Sequence, residues 1–116
     1  MTKANDFFGN SNGTGSYYRH PLSKIVYTDG VRDMAEACGA YWLIDLIVSH
    51  QQHIHVNLET FQVWDLIRLK DASFTVLCTD GNKKRITGQE IPFSDFRYDM
   101  ATLWLVDGVL LLPGEY

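Results

Sequence analysis

The chain has 116 residues, 46% of them hydrophobic and 21% charged, with three Trp, six Tyr and six Phe; this is the size of one domain and the composition of a packed protein, not a disordered one. A body of this length can bury about two thirds of its unfolded surface without a metal or disulfide to hold it. Ten basic against fourteen acidic side chains leave a formal charge of -4, with Lys83-Lys84-Arg85 the one basic cluster, so nucleic acid, which needs a broad positive field, is disfavoured.

Residues 1–15 are rich in Asn, Gly, Ser and Thr without periodicity, which reads as a flexible N-terminal tail ahead of a single domain over 16–116. Phe7 and Phe8 are the exception, a pair of aromatics expected to dock on their own domain. The tail has no apolar signal-peptide core, and the longest apolar run, Ala40 to Val48, is broken by Asp45 and too short to span a bilayer. A cytoplasmic protein with no membrane association is therefore expected.

Tyr17 to Tyr27, with Pro21 and the short run Ile25-Val26-Tyr27, reads as an extended lead-in. In Gly30 to Cys38 the apolar residues Val31, Met34, Ala35 and Cys38 fall at i, i+3, i+4 and i+7, with Thr28 or Asp29 as N-cap and Gly39 as the stop. From Ala40 to Gln52 the helical period continues, apolar on most sides, with a narrow polar stripe of Tyr41, Asp45, Ser49 and Gln52. The two stripes would clash in phase on one straight helix, which predicts a corner at Gly39.

After Asn57 the period changes to two. Phe61 to Leu69 and Ser73 to Thr79 read as strands, Asp80-Gly81-Asn82-Lys83 as a turn, and Lys84 to Gln89 as a third strand ended by Pro92. Asp107-Gly108 is a favoured two-residue hairpin turn that pairs Val106 with Val109 and Trp104 with Leu111. That hairpin is apolar on both faces and should lie inside the sheet or be covered. The fold expected is α+β: two N-terminal helices packed on a four- to five-stranded, mostly antiparallel sheet.

Candidate sites are few. His50, His53 and His55 have the spacing of a ligand cluster, but histidines at a helix end are also favoured by the helix dipole, and that reading is preferred to a metal site. Asp45, set among apolar residues, must find partners if buried; Tyr41 and Ser49, one turn either side, suggest a structural network in preference to acid–base work. Tyr17-Tyr18-Arg19-His20 combines aromatic faces with a guanidinium, as a nucleotide or other planar anion would require, against the plainer reading of a strand with packed tyrosines and a solvated Arg19. The segment Gly9 to Gly15 lacks the Lys and strand-to-helix context of a phosphate loop. Cys38 and Cys78, on apolar faces and without metal spacing, read as reduced core thiols.

Taken together, Tyr18-Arg19-His20, Tyr27-Thr28-Asp29-Gly30-Val31, Ala40-Tyr41-Trp42-Leu43-Ile44-Asp45, Ile91-Pro92-Phe93-Ser94-Asp95-Phe96 and Asp107-Gly108-Val109-Leu110-Leu111-Leu112-Pro113 resemble a family of small uncharacterised bacterial proteins of plasmid or phage type, over roughly residues 16–116. The resemblance implies a mobile-element setting; no activity, cofactor or catalytic residue comes with it. The resulting expectation is a non-enzymatic interaction protein, without cofactor, that binds a host protein such as a defence component or pairs with itself as a homodimer. The alternative is a small-ligand module holding a nucleotide or similar anion on Tyr17, Tyr18, Arg19 and His20. An enzyme is disfavoured because no nucleophile and base are brought together by the sequence.

Overall fold

The computed structural model describes residues 1–9 and 15–116, and the Asn10 to Thr14 part of the glycine-rich segment lies outside the described residues. In chain order the elements are β1 (Tyr17–Arg19), β2 (Val26–Thr28), α1 (Asp29–Cys38), α2 (Tyr41–His50), α3 (Ile54–Asn57), β3 (Phe61–Lys70), β4 (Ser73–Thr79), β5 (Arg85–Ile91), β6 (Met100–Val106) and β7 (Val109–Leu111). Among the described residues the seven strands form one sheet in the order β1-β2-β7-β6-β3-β4-β5, antiparallel throughout except where β2 runs parallel to β7. No helix among them is long and apolar enough to cross a membrane.

This overturns the expected layout of two N-terminal helices on a four- to five-stranded, mostly antiparallel sheet. Two strands precede the helices, the sheet is mixed, and a third helical turn lies between α2 and β3. The physical reason is length. β1 and β2 have three residues each, too few to display an alternation, and they exist because β7 supplies hydrogen bonds to β2 at Val26↔Val109 and Tyr27↔Leu110. Parallel pairing of segments from opposite ends of the chain leaves no local signature. α3 is a single turn, marginal by itself and sustained by burial of Val56.

The helices form where the periodicity places them. In α1 the buried residues include Val31, Met34, Ala35 and Cys38, Thr28 accepts the Val31 N–H at 3.3 Å, and Gly39 adopts φ 61° so that the Ala40 N–H reaches the Ala35 carbonyl at 2.8 Å. That left-handed residue makes the corner. α2 then buries Leu43, Ile44, Leu46 and Ile47 and exposes Tyr41, Asp45 and Ser49. The N-terminus of α1 receives a carboxylate: Glu115 accepts from the Thr28 hydroxyl at 2.7 Å, the Gly30 N–H at 3.2 Å and the Leu112 N–H at 2.9 Å. A Cβ on Gly30 would lie 2.7 Å from that carboxylate, so a larger residue at position 30 would have to displace Glu115 from the helix terminus.

Strict alternation in β3, β4 and β6 puts Trp64, Leu66, Phe74, Val76, Cys78, Ala101, Leu103 and Leu105 in the core. Burying each large apolar side chain contributes about 1.5–3 kcal/mol. The β6–β7 hairpin has the register that its Asp107-Gly108 turn dictates, with φ of 49° and 81° and the pairs Trp104↔Leu111 and Val106↔Val109, and it occupies the middle of the sheet. On the opposite face Phe61 and Trp104 approach to 5.1 Å, and Tyr116 meets both edge-on.

Of the buried polar residues His20, Thr28, Gln62 and Ser94, Gln62 is the most deeply enclosed. Gln62, 1% exposed, donates to the Gln51 side-chain oxygen at 2.9 Å, the Val56 carbonyl at 2.9 Å and the Glu59 carbonyl at 3.1 Å, while its own oxygen accepts from Gln51 and from the Trp64 indole, both at 2.9 Å. The N-terminal residues also pack: the Asn5 amide exchanges two hydrogen bonds with the Thr102 backbone at 2.7 and 2.9 Å, as a neighbouring strand would, and Phe7 stacks on Tyr98 at 5.2 Å. Asp99 accepts the Thr2 N–H at 2.8 Å, its hydroxyl at 3.1 Å and the Arg68 Nε–H at 3.0 Å.

Replacing Gln62 by Met should cost about 2–4 kcal/mol in urea unfolding, because two carbonyls and an indole N–H lose a buried partner. A loss under about 1 kcal/mol would mean that water replaces the amide without penalty. The Asp99 carboxyl is held below the ordinary value, first by the Thr2 backbone N–H and then by its hydroxyl. A depressed carboxyl stabilises the docked N-terminus above the unfolded-state value, about 3.9, and releases that contribution as pH falls through the lower folded value. In an NMR titration the Thr2 amide should therefore shift with a midpoint below the ordinary Asp range, and Asp99→Asn should abolish that transition.

Candidate functional site

β1 splits the Tyr17-Tyr18-Arg19-His20 group in two. Tyr17 and Arg19 are exposed, Tyr18 is half-buried and His20 is buried, so the four side chains do not share one face. Arg19 donates to the Ser23 carbonyl at 3.3 Å. The aromatic–guanidinium stack is instead made by Arg32 of α1, whose guanidinium lies 4.8 Å from the Tyr18 ring and donates to its hydroxyl at 3.0 Å, with Tyr18 stacked on Tyr27 at 5.8 Å. Arg32 could not be found from sequence, because only strand pairing brings β1 beside α1.

His20 Nδ1 accepts the Leu22 N–H at 3.1 Å, which places the ring proton on Nε2, where it is donated to Asp45 at 2.8 Å. Both ring nitrogens are thus used. The His–Asp pair fastens the β1–β2 connection to α2, and its imidazole has no nitrogen left to take a substrate proton. The stripe residues have separate partners: Asp45 bonds His20, Ser49 Oγ donates to the Leu46 carbonyl at 2.6 Å, and burial followed by the Glu36 carboxylate pushes the Tyr41 phenol up. The mutual network expected along the stripe is replaced by a bond to another element.

His50, His53 and His55 form a chain of rings with centroids 6.1 and 5.9 Å apart. His50 is engaged by Gln89 at 2.8 Å and by Thr87 at 3.5 Å and lies 5.5 Å from the Trp64 ring. Among the described residues no group of three or more His, Cys, Asp or Glu side chains is placed to hold a metal ion. Cys38 and Cys78 are both buried free thiols.

Among the concave features two bear on binding, and sequence reasoning reached neither. The first, about 300 Å³, lies at the end of the sheet where the β1–β2 connection (Lys24, Ile25), the α3–β3 connection (Glu59, Thr60) and the β6–β7 turn (Asp107) meet, with Gln62 in its lining. The second, about 270 Å³, is a groove of Trp42 on α2, Ile91 at the end of β5, and Phe93, Ser94 and Asp95 beyond it. Its 92–99 wall is firmly held: Ser94 N–H donates to the Ala72 carbonyl at 2.8 Å, Phe96 is 1% exposed, and Arg68 donates to the carbonyls of Phe96 at 2.8 Å and Tyr98 at 3.3 Å. Phe93, on that same fixed wall, is 74% exposed. A rigid backbone that presents a bare aromatic ring beside a half-buried tryptophan suits the docking of an apolar side chain.

Burial pushes the Cys78 thiol up to about 12 and also raises Cys38, against the opposing charge of Arg97. At mildly alkaline pH, iodoacetamide should therefore leave Cys78 unmodified in the folded protein, reach Cys38 first, and alkylate both after denaturation, as mass spectrometry would show. Rapid native modification of Cys78 would contradict the core reading.

No curated protein and no solved structure matches the chain. Its residues 2–116 match the model of a family described as a family of unknown function, DUF6876.

Proposed function

We propose that this chain, which belongs to the DUF6876 family, is a non-enzymatic interaction protein whose partner is another protein docked at the Trp42–Ile91–Phe93 groove. The observation that carries the reading is Phe93, left 74% exposed on a loop fastened by Arg68 and Ser94. Holding a loop rigid costs conformational entropy, and exposing a Phe forgoes its burial, so both are accounted for together when a partner covers the ring. The resemblance of the sequence blocks to plasmid and phage proteins supports a mobile-element setting, in which the partner is a cytoplasmic host protein such as a defence component. The chain's charge of -4 favours a partner with a basic rim around its apolar contact.

The nucleotide reading on Tyr17, Tyr18, Arg19 and His20 is less well supported, since strand alternation separates the four side chains and His20 is committed to Asp45. A second copy of this chain is the competing occupant of the groove.

Affinity capture with the wild-type chain and with Phe93→Ser, each first verified as folded, tests the proposal. A host protein should be retained by the wild type and weakened by about thirtyfold in the variant, as loss of a hot-spot aromatic worth about 2 kcal/mol implies. Equal retention by both chains would remove the groove from the interaction. Self-association lost in Phe93→Ser would assign the groove to a homodimer.

A further inference from the structure

The cleft at the other side of the molecule carries a different kind of signal, and it is chemical. Its walls come from three separate connections, yet they are joined to one another: Val26 N–H donates to the Gly108 carbonyl at 3.1 Å, Asp107 N–H donates to the Thr60 carbonyl at 3.2 Å, and the Gln51–Gln62 amide pair ties α2 to β3 behind them. The cavity of about 300 Å³ is therefore preformed, at the small end of the range for ligand sites. Ile25 and Leu105 contribute apolar lining.

The charged residues of the lining are Lys24 on one connection and Glu59 and Asp107 on the two others. Among the described residues none of these three side chains makes a hydrogen bond or ion pair within the protein. Opposite charges placed around one small cleft and left unpaired are complementary to a ligand that carries both signs. Two carboxylates disfavour a nucleotide or other polyanion, whereas an ammonium group is suited to them and a carboxylate to Lys24. Asp107 sits in the strained left-handed region, at φ 49°, so its place in the turn is not one an arbitrary residue would hold without strain.

We infer that this cleft binds a small zwitterion of the α-amino acid class, with its ammonium group toward Glu59 and Asp107, its carboxylate toward Lys24, and its side chain over Ile25 and Leu105. The site is separate from the Phe93 groove, and the inference does not depend on the protein-partner reading.

The test is an NMR titration of the isotope-labelled chain with free amino acids, with n-butylamine and butyrate as single-charge probes, and with calcium chloride. At least one amino acid should cause saturable shifts at Lys24, Thr60, Asp107 and Gly108, with both single-charge probes weaker by about tenfold or more. Lys24→Met and Glu59→Gln should each weaken that binding by about tenfold; Asp107→Asn, which keeps a residue tolerant of positive φ, should do the same with the spectrum otherwise unchanged. Absence of saturable shifts with every amino acid would overturn the inference. So would shifts caused equally by butylamine alone, or by calcium alone, since either would make the cleft a simple cation site.

Discussion

A primary amide cannot be buried unless its donors and acceptor are all engaged, and Gln62 sits at 1% exposure on a central strand. Its partners come from three places: Gln51 just after α2, the Val56 and Glu59 carbonyls on and beyond α3, and Trp64 on its own strand. Satisfying one side chain therefore sets where α2 ends, obliges the chain to make the short α3 turn, and fixes how that turn enters β3. The Val56 carbonyl, which already accepts the Glu59 N–H at 3.0 Å, takes the Gln62 amide as a second donor at 2.9 Å. The wall of the charged cleft is a direct consequence, because Glu59 and Thr60 lie on the connection that this network positions.

The same economy appears at the ends of the other elements. Glu115 meets the N-terminus of α1 and the Thr28 cap at once, so a turn late in the chain completes a helix near its start. Arg68 reaches from β3 across Phe74, at 4.6 Å from the ring, to bind two carbonyls of the 92–99 loop and the Asp99 carboxylate. Asp99 in turn receives Thr2. The Phe93 groove thus rests on Arg68 bonds that span 28 and 30 residues and the charged cleft on the more local Gln62 network, and the rigidity that suits them to binding is a product of that satisfaction.

The site residues were legible only in part. Tyr41, Asp45 and Ser49 do share the exposed stripe of α2, since helical period places them there whatever the tertiary context. Their partners were not legible, because His20, the actual partner of Asp45, approaches only after β1 has joined the sheet through β2. The cation over the Tyr18 ring is Arg32 from α1, while Arg19, adjacent in sequence, lies on the opposite face of β1. The Phe93 groove and the charged cleft each combine residues from distant connections, and composition of one segment carries no trace of the others.

Local rules determined α1, α2, the Gly39 corner, β3, β4 and the Asp107-Gly108 hairpin, because each is encoded by a period or a turn preference within a dozen residues. Tertiary structure alone decided the mixed seven-stranded sheet of the described residues. The three-residue strands β1 and β2 are too short to hold their shape alone, and the parallel β2–β7 pair gains its hydrogen bonds only after both ends of the chain have met. The candidate sites belong to that second class, since a cleft is made by what the fold brings together.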